Sequence, residues 1–133
     1  FHLLSVRLTG DRSLPSTSFC PLPPARFLPF HPASLPLSPV LPGGVWRPPN
    51  CTAHVNLTLI VPYRDRAPQL DAFLYSMHRF LQAQGADYRI LVVEQSGSTP
   101  FNRGKLFNVG FVEAQQHRPS PCYVFHEVDL LPE

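Results

Sequence analysis

The spacing of apolar positions changes along the chain, and each change marks an element. Residues 57–61, Leu57-Thr58-Leu59-Ile60-Val61, form a short, almost continuous apolar run that Pro62 follows. Such a run predicts a buried strand. Over 67–84, Leu70, Phe73, Leu74, Met77, Phe80 and Leu81 recur at intervals of three and four, the period of one helix face, and Gly85 closes the pattern. Residues 88–94 contain Ile90-Leu91-Val92-Val93, a second buried strand. Over 104–117, Leu106, Val109 and Val112 or Glu113 fall on successive turns of a second helix, with Gly110 as a weak point. Residues 122–125 read as a third short strand. The order is β-α-β-α-β. Continuous rather than alternating apolar strands predict a parallel sheet covered on both faces. Ligands of such sheets bind beyond the carboxyl ends of the strands.

The first third of the chain lacks any such period. Of 17 prolines, 11 lie in residues 1–50. Proline removes a backbone donor and fixes φ, so residues 1–42 are expected to be a disordered or polyproline-like stem, with the folded part at 43–133. A ligand for a proline-recognising domain, through Pro21-Leu22-Pro23-Pro24 or Pro36-Leu37-Ser38-Pro39, is the weaker alternative. The net charge of +2 comes with no basic stripe interleaved with aromatics, which argues against nucleic acid as a partner. No apolar run approaches the ~20 residues that span a bilayer. The cysteines, Cys20, Cys51 and Cys122, form no CxxC pair, which disfavours structural zinc; three accommodate one disulfide and one leftover thiol.

The three predicted strand ends carry the chemistry. After the first come Pro62, Tyr63, Arg64, Asp65 and Arg66; after the second Glu94 and Gln95, then Phe101, Asn102 and Arg103; after the third His126, Glu127, Val128 and Asp129. Guanidinium forks suit a diphosphate, and a flat ring suits a base. Strand-end carboxylates suit a hard cation bridging phosphate oxygens. Ordinary solvated charges, with Arg64 and Arg66 paired to Asp65 or Asp71, are the competing reading. Convergence at consecutive strand ends raises nucleotide or phosphate binding to rough parity with it.

At this point the residues resemble the β1,4-galactosyltransferases. The resemblance runs through Pro42-Gly43-Gly44-Val45-Trp46-Arg47-Pro48-Pro49-Asn50-Cys51, then Ile60-Val61-Pro62-Tyr63-Arg64-Asp65-Arg66. It continues in Phe101-Asn102-Arg103-Gly104-Lys105-Leu106-Phe107-Asn108-Val109-Gly110-Phe111 and in Cys122-Tyr123-Val124-Phe125-His126-Glu127-Val128-Asp129. The matches keep the family's order and spacing over about two-thirds of the chain. They depart from its usual residues at Tyr63 (usually Phe), Gly104 (usually Ala) and Glu127 (usually Asp).

The resemblance implies a partial GT-A, Rossmann-like nucleotide-sugar-binding domain of α/β class. The implied activity is Mn²⁺-dependent, inverting β1,4 transfer of galactose from UDP-galactose to a terminal sugar, usually N-acetylglucosamine, of a glycan acceptor. By the same resemblance, Pro62, Tyr63, Arg64, Asp65, Arg66, Phe101, Asn102, Arg103, Val128 and Asp129 form the nucleotide-sugar site, and Asp129 is a metal ligand. It further implies a Cys51–Cys122 disulfide that leaves Cys20 free, and a lumenal, single-pass type II Golgi protein whose anchor lies upstream. The family's catalytic base, a later metal-binding histidine and the acceptor site would lie beyond Glu133, so the 133 residues alone are expected to be inactive. A truncated, non-catalytic product that at most binds UDP-sugar is the alternative. Asn50 and Asn56 begin two N-glycosylation sequons.

Overall fold

The computed structural model describes residues 18–22, 33 and 37–132. Most of the segment expected to be disordered, and parts of both proline motifs, lie outside these residues. The described elements are β1 (Val45–Trp46), β2 (Asn56–Tyr63), α1 (Ala67–Ala83), β3 (Asp87–Glu94), α2 (Arg103–His117) and β4 (Cys122–Phe125). The sheet order is β1-β3-β2-β4. β2 runs parallel to β3 and to β4, in registers that align Ile60 with Leu91 and with Phe125.

The pattern-based expectation holds for five elements and misses β1. That strand is only two residues long, too short for any period to register. It pairs antiparallel with β3, Trp46 opposite Tyr88, and the two rings stack with centroids 5.9 Å apart. Gly44 makes this edge possible. Its φ is +73°, and a Cβ there would collide with the carbonyl oxygen of Ile90.

β2 also runs further than expected, through Pro62. The O of Ile60 accepts from His126 N–H and the O of Tyr63 from Gln95 N–H, so alternate residues of β2 bond to β4 and β3. Pro62 belongs to the β4-facing series, and β4 pairing ends at Phe125. Its missing N–H therefore interrupts no named β2–β4 pair.

Side-chain alternation divides the core. Leu59, Val61, Tyr88 and Ile90 cluster with Phe73, Met77 and Leu81 of α1. Ile60 and Val93 face α2 instead, and there the buried stripe departs from expectation. It consists of Leu106, Gly110 and Ala114, whereas Val109 and Val112 are 42% and 49% exposed. A Cβ on Gly110 would lie inside contact distance of Ile60 Cγ2 and 2.7 Å from Val93 Cγ2. Small residues let α2 approach the sheet closely, so the larger valines point away.

The expected disulfide is corrected. Cys51 bonds Cys20, with a Cα–Cα distance of 4.8 Å, and Cys122 is free and exposed. The cause is a short parallel bridge: Thr52 N–H donates to Ser18 O at 3.0 Å and Cys20 N–H donates to Thr52 O at 2.9 Å. That ladder sets Cys20 beside Cys51, whereas Cys122 opens β4 opposite Leu57. The same contacts correct the expectation of disorder for part of the proline-rich stretch. Cys20 is buried, and Ser38 is held at both backbone atoms by the Gln82 amide, at 2.8 and 3.1 Å.

Candidate functional site

Three strand ends meet at one rim of the sheet. β2 delivers Pro62 and then Arg64, Asp65 and Arg66, turning at Asp65, whose φ is +50°. Aspartate is among the few side chains that enter this left-handed region readily. The chain then starts α1, whose first turn contains a proline, no acid and no side-chain cap. β3 leads into residues 95–102. There Asn102 caps α2, its Oδ1 accepting from Lys105 N–H at 3.0 Å. β4 ends with His126, followed by Glu127, Val128 and Asp129.

A cavity of about 480 Å³ lies between these ends, lined by Pro62, Arg64, Arg66, Phe101, Arg103, Glu127, Val128 and Asp129. Seven of the ten residues expected at the site therefore converge on it. The other three do not line it. Tyr63 packs against the α1-side core, because alternation along β2 turns it away from Pro62 and Arg64. Asp65 is consumed by the turn. Asn102 is committed to its cap, on the wall of a neighbouring groove that also includes Glu94, Gln95 and Lys105. Glu127 is an addition to the expected set.

Charges in the cavity are paired. Arg66 NH1 lies 2.9 Å from Asp129 Oδ2, and Arg103 NH1 lies 3.0 Å from Glu127 Oε1. Both pairs are substantially exposed, so each contributes little to stability. Arg64 sits 5.4 Å from the Phe101 ring centroid and donates to Thr99 O at 2.6 Å. Three guanidiniums face two carboxylates, leaving one positive charge in excess. An anionic, planar ligand fits this lining: forks for phosphate oxygens, a ring for a base, and apolar walls at Pro62 and Val128.

Among the described residues, no group of three or more His, Cys, Asp or Glu side chains could hold a metal ion. Glu127 and Asp129 supply two hard oxygen donors at one strand end. That number fits a divalent cation completed by phosphate oxygens and water, and does not fit an all-protein cage. Of the sequon residues, Asn50 is exposed beside the disulfide. The Asn56 amide nitrogen, which a glycan would need, donates to Asp87 Oδ2 at 3.3 Å.

Glu127 and Gln95 were read from the sequence as strand-end residues but stood outside the ten assigned to the site, and Thr99, in the loop below the rim, was missed. Gln95 was visible in sequence only as a polar residue ending an apolar strand. Nothing in the linear order revealed its partners.

Known proteins resemble this chain in sequence and in fold. The profile of the N-terminal region of glycosyl transferase group 7 matches residues 32–133. The chain is 43% identical to β1,4-galactosyltransferase 6 of Rattus norvegicus over 96 residues, 72% of this chain and 25% of that protein. It is 43% identical to β1,4-galactosyltransferase 3 of Cricetulus griseus over 119 residues, 89% of this chain and 29% of that protein. A crystal structure of a mutant Drosophila β1,4-galactosyltransferase 7, in complex with manganese, UDP-Gal and xylobiose, is similar with a TM-score of 0.51 and 39% identity. That likeness covers 59% of this chain and 32% of the other. The chain thus spans about a quarter to a third of these relatives.

Proposed function

We propose the following from one premise: this chain belongs to glycosyl transferase group 7, within the N-terminal region of that family, and has an α/β fold of GT-A type. Its cavity binds the nucleoside diphosphate of UDP-galactose, as the donor half of a β1,4-galactosyltransferase site. The observation that carries this reading is the convergence of Arg64, Arg66, Arg103, Phe101, Glu127 and Asp129 from three successive parallel strand ends into one cavity.

The residues divide the work by chemistry. Arg66 and Arg103 hold diphosphate oxygens, where guanidinium forks match paired acceptors. Phe101, backed by Arg64, offers a face for the uracil ring. Pro62 and Val128 close the apolar wall. Asp129, with Glu127 beside it, would hold Mn²⁺. When bound, the ion neutralises charge on the diphosphate leaving group. In the complete protein the galactose passes with inversion to a terminal N-acetylglucosamine of a glycan. The Cys20–Cys51 disulfide fits an oxidising, lumenal setting such as the Golgi. No described helix is long and apolar enough to cross a membrane.

One observation favours a narrower reading for these 133 residues by themselves. Both carboxylates lining the cavity are engaged by arginines, and among the described residues no other acid or histidine lines it. Activating an acceptor hydroxyl needs a base positioned against it. The chain alone therefore binds UDP without transferring sugar.

Calorimetry with UDP and Mn²⁺ tests both statements. Arg103→Ala should raise the UDP Kd roughly ten- to hundredfold, the size of a lost charged hydrogen bond. Arg47→Ala should leave it unchanged, because Arg47 pairs with Asp87 away from the cavity. Equal effects of the two substitutions would misplace the site. Disaccharide formed from UDP-galactose and N-acetylglucosamine, and lost in Asp129→Ala, would refute the narrower reading.

A further inference from the structure

Gln95 is the first residue after β3. Its backbone N–H donates to Tyr63 O at 3.0 Å, one further rung from β3 to β2. Its side chain then reaches forward across the loop. Oε1 accepts from Asn102 N–H at 2.8 Å. Nε2 lies 3.1 Å from Thr99 Oγ1, 3.1 Å from Pro100 O and 3.3 Å from Thr99 O. An amide nitrogen has two protons, so at least one of these bonds is shared. The acceptor role toward Asn102 fixes which end of the amide is oxygen.

The tie has consequences at the cavity. Thr99 O also receives Arg64 NH1, so the oxygen that Gln95 holds is the one that holds Arg64. Arg64 in turn lies over Phe101, and Asn102 begins α2 at Arg103. Three cavity residues from two strand ends thus depend on one amide that does not itself line the cavity. We infer that Gln95 is a positioning residue for the nucleotide rim: it closes loop 95–102 so that Phe101, Arg103 and Arg64 are preorganised before ligand arrives. The inference rests on the proposed nucleotide site. Binding to a rim already ordered avoids the cost of ordering it during association.

The side-chain chemistry decides which variants are informative. Gln95→Met keeps length and removes both ends of the amide. Gln95→Glu keeps an acceptor for Asn102 N–H but replaces the donors with a carboxylate facing the oxygens of Thr99 and Pro100. Gln95→Met should raise the UDP Kd about tenfold, the equivalent of one to two neutral hydrogen bonds. Gln95→Glu should do no better, because the lost donors are what hold Thr99 and Arg64.

Three readouts on the 133-residue chain separate positioning from general stability. Amide hydrogen exchange should quicken at residues 99–103 in Gln95→Met and stay unchanged in the middle of β2 and β3. The UDP penalty of Gln95→Met should shrink when Phe101→Ala is already present, since both then act through the same ring. Gln95→Ala, with less bulk to misplace, should repeat the pattern. An unchanged UDP Kd, full additivity with Phe101→Ala, or exchange that rises uniformly through the sheet would each overturn the inference. A wild-type chain that binds no UDP would instead overturn the nucleotide reading, and the exchange at 99–103 would still decide whether Gln95 fixes the rim.

Discussion

His78 on α1 and Tyr88 on β3 meet at 2.8 Å through Nδ1 and the phenol oxygen. Burial pushes the Tyr88 hydroxyl up from 10.0 to about 12, with a weak opposing contribution from the Gln82 amide, and burial holds His78 below 6.5. Both residues are thereby kept neutral, which suits a phenol donating to an unprotonated imidazole. The linkage has opposite signs at the two ends of the pH scale. For Tyr88 the stabilisation is complete below pH 10 and is lost as pH rises through about 12, because the unfolded chain ionises first. For His78 it is present above pH 6.5 and lost as pH falls, because the unfolded chain protonates first. Urea midpoints should therefore fall on both sides of a plateau between these limits. Tyr88→Phe should flatten the alkaline limb and His78→Gln the acid limb; limbs unchanged in both variants would remove this pair as their source.

At the scale of elements, α2 depends on a missing side chain. Gly110→Ala adds a Cβ against Ile60 and Val93. Overpacking costs about 1–3 kcal/mol, against ~1 kcal/mol of helix propensity gained. The net loss, read from urea unfolding, should be up to about 2 kcal/mol. Gly104→Ala is the contrast, since only Asn102 Oδ1 lies within 4 Å of its added Cβ, at 3.9 Å. It should leave stability unchanged or raise it by up to ~1 kcal/mol. Two equal and favourable effects would mean that α2 does not approach the sheet as closely as described. The same glycine explains why periodicity misread this helix. A stripe of Leu106, Gly110 and Ala114 has little apolar weight, so the larger Val109 and Val112 drew the predicted face one residue round. α1 was legible because its inward face carries Phe73, Met77 and Leu81.

For the whole molecule, the Cys20–Cys51 bond joins the proline-rich stretch to the start of the sheet. A bridge over 31 positions restricts the unfolded chain by about 4 kcal/mol in the loop-entropy account. Non-reducing peptide mapping should find Cys20 linked to Cys51, and iodoacetamide should label Cys122 in the native protein. A main Cys51–Cys122 peptide would restore the pairing implied by resemblance. Reduction should lower the urea midpoint. On the other side of the molecule, β4 pairs only with β2 among the described residues, and Phe125, Leu130 and Leu131 nearby are exposed.

The three parallel strands, both helices, their order and the strand-end arginines and acids were determined by the sequence alone. These depend on local period and on the rule that parallel strands deliver their carboxyl ends to one rim. The family was legible for a related reason, since its motifs are those strand ends in order. Tertiary structure alone decided what depends on approach between distant segments. It brought Ser18 to Thr52 and so chose Cys20 over Cys122 for Cys51. It turned Tyr63 inward, drew Glu127 to Arg103, and closed residues 95–102 through the Gln95 amide. A side chain's type limits which bonds it can make, but which partner lies within 3 Å follows only from how the elements pack.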